Sequence, residues 1–360
     1  MTVPVVVGTG LVALDVVFRG SSKRPLRRCA GGTCGNVLIA LRYLGWKAVP
    51  VARLAADRAR VALEADLARW GLDLRFLDLP PHGPTPIIVE RVISNDRGEP
   101  THRFSWMCPC CGALLPRYKP VRASDVDQVA EEIRRPAVFF FDRPSRAALV
   151  LATTYASVGT LIVFEPSASS EPALFNEAIE AADIVKYSDQ RLAAIPDSTS
   201  RRRRLEIQTL GAAGLRYRIT SGRKRTWRQV QAIPAGHVVD TAGAGDWCTA
   251  GLLERLANGG RQGFENASDR DVHEAIRYGQ ALSAWNCRFE GARGGMYERT
   301  REQFMDDVDS ILAGAKVTPG VDATELEIEL DEICPLCPGP RREATVASAP
   351  FRVSGAPRLC

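Results

Sequence analysis

Short β-branched runs alternate with helical segments through the first half of the chain, and that alternation restricts the fold more than any other feature. The run 3–7 is strand-like and is broken by Gly8 and Gly10, with Pro4 at its start, where a strand tolerates proline. The stretch 35–44 (GNVLIALRYL) carries apolar residues at helical spacing and stops at Gly45. The stretch 47–51 predicts another strand, and 55–70 another helix, closed by Gly71. Further buried strands are expected at 137–142 and 161–165, each after a helical pattern, then from 183 and over 205–211. Helices are expected over 247–257 and 271–286. Strand and helix in repeated succession imply an α/β domain with a largely parallel sheet.

Two stretches break the alternation. In 85–106, PIIVERVI and THRFSW flank NDRG, which predicts an antiparallel hairpin turning at 95–98 and acting as a flap or edge element. A second hairpin is expected over 215–229, turning at SGRK. Residues 316–360 differ in character, with a short acidic segment, Cys334, Cys337 and several Pro and Gly residues. They read as an appendage to a domain spanning 1–315, and no internal repeat is visible.

Composition removes several alternatives. Of the 360 residues, 45% are apolar, enough for a sizeable core, and the net charge of +5 is too small to single out a partner. The apolar N-terminus lacks a basic n-region and contains Asp15, so it reads as a buried strand and not a signal peptide. No apolar run reaches the length of a membrane span. Ten cysteines are too sparse for a secreted disulfide scaffold. A reducing, cytoplasmic setting is the expectation.

The sharpest chemical signal is DTAGAGD at 240–246, between a β-branched stretch and an apolar helix. Small residues at 242–245 let the backbone turn tightly and present successive N–H groups, and a helix N-terminus adds its dipole. This is a phosphate site in outline. Asp246, beside such an anion hole, would accept the proton of a hydroxyl attacking phosphorus. The plainer alternative is a glycine turn with Asp246 as a helix cap.

Three weaker signals accompany it. Gly31, Gly32 and Gly35 surround the start of the first helix, and Asn36 offers a donor and an acceptor to a substrate hydroxyl, or caps the turn. Asp15 follows the first strand, where open α/β sheets place ligands, and could grip adjacent hydroxyls or simply be a turn residue. TLGAAG at 209–214 ends a strand and could hold nucleotide phosphates or open a hairpin. No GxxxxGK[ST] loop occurs, and Gly8-Thr9-Gly10 lacks the third glycine of a dinucleotide fingerprint.

These motifs, in this order, resemble the ribokinase-like (PfkB) carbohydrate kinase family. DTAGAGD is similar to its C-terminal signature and GGTCGNVLIALRYLG at 31–45 to its N-terminal one. VVVGTGLVALDVV with Asp15, TLGAAG, and GARGG at 291–295 match its opening, its nucleotide-site strand end and its late glycine motif. The resemblance spans roughly residues 3–310. It implies a three-layer α/β/α sandwich with a small β lid, about 16–30 and 83–106, closing over the substrate. It also implies ATP-dependent phosphoryl transfer to a hydroxyl, usually a primary alcohol, of a sugar, sugar acid or nucleoside. Asp246 would be the catalytic base, with Ala242, Gly243, Ala244 and Gly245 as the anion hole. Asp15, Gly32 and Asn36 would contact substrate hydroxyls, and Thr209, Gly211 and Gly214 the nucleotide. Mg2+ would accompany ATP, and a monovalent cation such as K+ would lie near Asp240.

Three features depart from the family pattern. Where the family has Asn-x-x-Glu after a strand, this chain has Ser188 and Arg191, so either Asp189 replaces the glutamate or Arg191 contacts phosphate directly. A CPCCG segment at 108–112 follows the lid, and the extension after 315 has no family counterpart. Loss of the Asn-x-x-Glu site also leaves open a kinase-like protein that binds ligand without turnover.

Cys108 and Cys111, with Cys334 and Cys337, form two C-x2-C pairs suited to structural Zn2+, which would pin the extension near the lid; Cys110 could replace either neighbour. A redox pair and metal-free loop cysteines are the alternatives. Cys29, Cys34, Cys248 and Cys287 read as small core fillers. The run Arg201 to Arg204 reads as a solvated loop, and without interleaved aromatics nucleic-acid binding is not expected. The expected partner is a sugar-like small molecule, with a homodimer as the assembly to test.

Overall fold

The computed structural model describes residues 3–22, 24–79, 82–94, 100–168, 171–197, 202–220 and 226–315. The turns expected at 95–98 and 221–224 fall outside these residues, as do 316–360 with Cys334 and Cys337. The chain opens with β1 (Val5–Thr9), β2 (Ala13–Arg19), β3 (Arg27–Gly31), α1 (Gly32–Tyr43), β4 (Lys47–Val51) and α2 (Arg58–Arg69). The hairpin strands β5 (Ile87–Ser94) and β6 (Pro100–Ser105) follow. Next come α3 (Val126–Glu132), β7 (Val138–Phe141), α4 (Arg146–Ser157), β8 (Leu161–Phe164), α5 (Pro172–Ala181) and β9 (Ile184–Ser188). Then β10 (Arg204–Thr209), β11 (Leu215–Thr220) and β12 (Arg228–Val230) precede α6 (Ala244–Leu256), α7 (Gly260–Asn266), α8 (Asp269–Asn286), α9 (Gly294–Glu298) and α10 (Arg301–Leu312).

Among the described residues, eight strands form the main sheet in the order β12-β11-β10-β9-β8-β7-β1-β4. The six strands from β10 to β4 pair in parallel, and β11 and β12 close one edge antiparallel. Both faces are apolar, as a covered parallel sheet requires. Val6, Phe140 and Val163 face a core completed by α1, α6, α8 and α10, while Val7, Phe139 and Phe141 face one completed by α3, α4 and α5. This is the expected three-layer arrangement. A second sheet, in the order β3-β2-β5-β6, is built around the predicted hairpin.

The structure corrects two readings. The apolar N-terminus is two strands and not one, and Asp15, which does follow the first strand, is not a turn residue. Gly10, at φ +141°, lets the chain turn, and Asp15 lies inside β2 of the smaller sheet, paired with Cys29 and Ile88. A side chain at Gly10 would collide with the Asp142 carboxyl. The smaller sheet therefore begins at Ala13, three residues before the expected lid boundary. The arginine run is not all loop either. Arg204 is buried in β10 and donates to the Ile179 carbonyl, and the Arg203 guanidinium lies 5.4 Å from the Phe264 ring centre. A strand edge beneath a helix C-terminus gives such cations carbonyl acceptors and aromatic faces.

Candidate active site

Parallel strands bring their carboxyl ends to one edge, and the predicted motifs gather there. Thr9 ends β1, Asp142 follows β7, Glu165 follows β8, and Ser188 and Thr209 end β9 and β10 as direct register partners. The Asp142 Oδ1 accepts the Leu11 N–H at 2.9 Å and so fixes the turn between the two sheets. Gly211 and Gly214, both at positive φ, shape the tight turn after β10. Arg191 donates its N–H to the Ser188 carbonyl at 3.1 Å, in the turn after β9, and its side chain is exposed. The Ser188/Arg191 pair and the TLGAAG turn are thus neighbours, as their proposed shared ligand requires.

The DTAGAGD turn leads into α6 from an N-cap at Gly243, φ +70°. A Cβ there would lie 2.3 Å from the Ala292 carbonyl oxygen, so glycine is required on both conformational and steric grounds. Asp240 Oδ1 accepts the Ala242 N–H at 3.0 Å, Oδ2 accepts the Gly291 N–H at 2.9 Å, and Asn286 donates to the Ala242 carbonyl at 2.7 Å. The late glycine segment at 291–295 therefore buttresses the turn. Trp247, fully buried against Trp285 with ring centres 5.2 Å apart, donates to the Ala292 carbonyl and anchors α6 behind it. The first N–H groups of α6 have no intrahelical acceptors and carry the positive end of its dipole, which suits phosphate oxygens.

Asp246 is the third residue of α6 and is partly exposed. Its Oδ2 accepts from Asn36 Nδ2 at 2.8 Å, which joins the two signatures. Burial and the Glu165 charge push its carboxyl well above the usual carboxylate range, to about 8, against the lowering effects of the Asn36 hydrogen bond, Lys186 and Arg191. Glu165 itself pairs with buried Lys186 and accepts the Thr249 hydroxyl at 2.6 Å. Burial opposes the Lys186 ammonium, but Glu165, Cys248 and Asp246 together outweigh it and hold the lysine above its ordinary range. Lys186 and Glu165 both lie beside Gly245.

The residues expected to contact substrate meet from the smaller sheet and α1. Asp15 Oδ2 lies 3.3 Å from the Gly32 N–H, while its buried Oδ1 has no hydrogen-bond partner. Burial raises the Asp15 carboxyl to about 7, although the Gly32 N–H and Arg293 pull it down. Asn36 lies in the second turn of α1, not in a loop ahead of it, because the helix already starts at Gly32. Its Oδ1 accepts from Arg293 Nε at 3.1 Å. Arg293, 1% exposed, also binds Asp66 Oδ2 at 3.0 Å, and Tyr297 donates to the same carboxylate.

Sequence reasoning missed Glu165, Lys186, Arg293, Asp66, Glu90 and His102. Two carried a readable signal. Lys186 is two residues before Ser188 on one strand and so shares its face, and Arg293 stands inside the late glycine motif. Glu90 is wholly buried on β5; burial and the Asp240 charge raise its carboxyl well above the ordinary range. Burial works against the Asp240 carboxylate, but His102, the Ala242 N–H, Glu90 and the Gly291 N–H outweigh it and hold it low. The predicted core cysteines Cys29, Cys34, Cys248 and Cys287 are all buried. Cys108 is buried and Cys111 exposed, on a turn where Gly112, at φ +71°, donates to the Cys108 carbonyl at 2.9 Å.

Residues 133–299, which hold the β7–β10 edge, the DTAGAGD turn and Asp246, match the pfkB family carbohydrate kinase. That match spans 167 of the 360 residues, so the likeness to pfkB carbohydrate kinases covers just under half of the chain. It is 27% identical over 265 residues to a fructokinase of Vibrio alginolyticus, covering 69% of this chain and 83% of that protein. An ATP-dependent ribose-1-phosphate kinase of Halopiger xanaduensis is 26% identical over 308 residues, 80% of this chain and 93% of that protein. In three dimensions the chain is similar to the Arabidopsis thaliana ribokinase complexed with ribose and ATP, with a TM-score of 0.59 at 18% identity, over 86% of this chain and 99% of that one. The match includes the glycine signature at 240–246, and the solved structures share the α/β/α layers. No helix of the described residues is long and apolar enough to cross a membrane.

Proposed function

We propose that the protein transfers the terminal phosphoryl group of ATP to a hydroxyl of a small sugar or sugar-like substrate, with Asp246 as the base. The hydrogen-bonded pair of Asp246 and Asn36 at the N-terminus of α6 carries this reading. A carboxyl held up to about 8 is matched to taking a hydroxyl proton near neutral pH. Asn36 orients it, and Gly243, Ala244 and Gly245 offer N–H groups to the charge that develops on the phosphoryl oxygens. Asp15 and Gly32 face the hydroxyls of the substrate from the junction of the two sheets. Thr209, Gly211, Gly214, Ser188 and Arg191 border the nucleotide end. The smaller sheet acts as a lid over the sugar and excludes water.

The residues present fit Mg2+ and a monovalent cation unequally. Mg2+ prefers carboxylate, phosphate and water oxygens, and Glu165 is the carboxylate beside the anion turn where Ser188 and Arg191 replace the usual Asn and Glu. Mg2+ would arrive with ATP and neutralise its phosphates. Asp240 is the carboxylate that the resemblance sets near K+, although both of its oxygens already accept backbone N–H groups.

The cysteine turn at 108–112 has the glycine geometry of a metal knuckle and supports a structural Zn2+ site shared with Cys334 and Cys337. Zinc lost on Cys334→Ser/Cys337→Ser would support it; a metal-free protein with titratable thiols would remove it.

The test of function is ADP formation across sugars, sugar acids and nucleosides with Mg2+ and K+ present. Turnover of a sugar supports the proposal, and turnover of nucleosides alone shifts the substrate class. Retained nucleotide binding without any turnover would favour a ligand-binding protein, the reading that the Ser188 and Arg191 substitutions support.

A further inference from the structure

Three potential metal ligands converge where the smaller sheet meets the turn before α6. Glu90 comes from β5, His102 from β6 and Asp240 from the loop entering α6, with one ligand atom of each within 4.8 Å of the other two. Among the described residues no other group of three His, Cys, Asp or Glu side chains does this. His102 Nδ1 lies 3.3 Å from Asp240 Oδ1. Two ligand atoms about 2.1 Å from a tetrahedral metal are separated by about 3.4 Å, so this pair already has the spacing of a coordination edge.

Glu90 supplies an independent observation. It has no solvent exposure, neither carboxylate oxygen accepts a hydrogen bond, and its one polar neighbour is the Asp240 carboxylate, which it can bond only while it keeps its proton. A buried polar group without a partner is costly, and here it faces a second buried carboxylate, which makes it costlier. A cation between Glu90 and Asp240 removes both penalties. The imidazole nitrogen selects the kind of cation, because nitrogen with carboxylate oxygens suits a divalent transition metal better than K+ or Mg2+. Two carboxylates and a neutral imidazole also balance a double charge. The Asp240 oxygens each accept one N–H, which leaves a lone pair on each for a metal.

We propose that Glu90, His102 and Asp240 bind one divalent transition-metal ion, such as zinc, which ties the smaller sheet to the phosphate-facing turn. The three ligands leave at least one position for water or for the Thr241 hydroxyl, whose Oγ1 is 3.2 Å from His102 Nδ1. The site does not depend on the kinase reading and is separate from the cysteine pairs.

The test uses full-length protein stripped with chelator and held free of nucleotide, titrated with Co2+ and with Zn2+. One equivalent of Co2+ should bind with weak visible absorption typical of nitrogen and oxygen ligands. Glu90→Gln and His102→Ala should each weaken that equivalent at least tenfold. Cys334→Ser/Cys337→Ser should keep it and lose only thiolate charge-transfer bands. In the Cys334→Ser/Cys337→Ser background Zn2+ should raise the Tm, and adding Glu90→Gln should abolish that rise. Glu90→Gln preserves shape and His102 is partly exposed, so circular dichroism should show both variants folded. Wild type that binds neither metal, or variants that bind both as the wild type does, would overturn the site and leave a metal-free polar cluster in which His102 donates to Asp240.

Discussion

Asn36 donates from Nδ2 to Asp246 at 2.8 Å while its Oδ1 accepts from Arg293 at 3.1 Å, so one amide stands between the proposed base and a buried cation. The arrangement fixes which way the amide faces, because Arg293 can only donate and so claims the amide oxygen. Asn36 is thereby held with its donor toward the base. Asp66 holds Arg293 in turn and itself accepts from Tyr297, so the orientation of Asp246 is set by residues from α1, α2 and the late glycine segment together.

Asp246→Asn should lower kcat by about 10² to 10⁴, the usual worth of general-base assistance, with nucleotide binding retained. The amide keeps the shape of the carboxylate, and Trp247 continues to anchor α6, so Tm should change little. Steady-state kinetics on an identified substrate, paired with nucleotide titration, makes the measurement. Unchanged kcat would remove Asp246 from the role of base.

The pH dependence follows from the same residue. Asp246 acts as a base only when ionised, and its carboxyl is raised to about 8. kcat/KM, which reports the free enzyme, should therefore fall as pH drops through this region, well above the range of an ordinary carboxylate. Burial is the main cause, but Glu165 adds to it. Glu165→Gln should move the acid limb to lower pH, because it removes a negative charge and leaves Lys186 uncompensated. A limb that stays in place would mean that another group controls it.

Asp15 gives a stability prediction with a definite sign. Its folded-state carboxyl is raised to about 7 from an ordinary value of 3.8. Between those values the folded chain holds a proton that the unfolded chain has released, so this residue lowers stability as pH rises from about 4 to 7. Above pH 7 the full penalty of an ionised, half-unpartnered carboxylate remains. Asp15→Asn should raise Tm at pH 8 more than at pH 5 and weaken substrate affinity at both. Equal shifts at the two pH values would contradict the buried-acid account.

Arg293→Met should cost about 3–5 kcal/mol, because it strands the Asp66 charge in a site where Arg293 is 1% and Asp66 9% exposed. Adding Asp66→Asn should recover part of that loss by removing the uncompensated charge. Chemical denaturation of the two variants gives both values. A double variant no more stable than the single one would show that packing, not charge, governs the site.

The legibility of this chain in its sequence depended on distance. Long buried runs such as VFFF at 138–141 and LIVF at 161–164 announced strands, and the glycine signatures announced the site, because both are local patterns. The turn alternative for Asp15 failed because Gly8 and Gly10 mark the end of β1, but nothing local shows that the chain enters a second sheet at Ala13. Arg204 was misread because a basic run usually stays in water; the carbonyl that receives it belongs to α5, 25 residues earlier. Glu165, Arg293 and Glu90 act through partners 21 to 257 residues away, and no spacing rule reaches that far.

Arg191 is the residue whose role the family pattern least defines. It stands where a glutamate is usual, just after β9, and its positive charge reaches Asp246. A cation in place of a carboxylate cannot support Mg2+ through water, but it can attract the nucleotide phosphates directly. Its side chain is exposed, so Arg191→Ala should change stability by no more than about 0.5 kcal/mol. The same substitution should raise the KM for Mg-ATP several-fold and weaken its dependence on ionic strength, with a smaller effect on the sugar KM. Arg191→Glu, which restores the family's usual residue type, separates two accounts. If Arg191 contacts phosphate, this variant should bind nucleotide more weakly than Arg191→Ala. If it binds nucleotide more tightly at raised Mg2+ than the wild type does, the position serves the metal and not the phosphate.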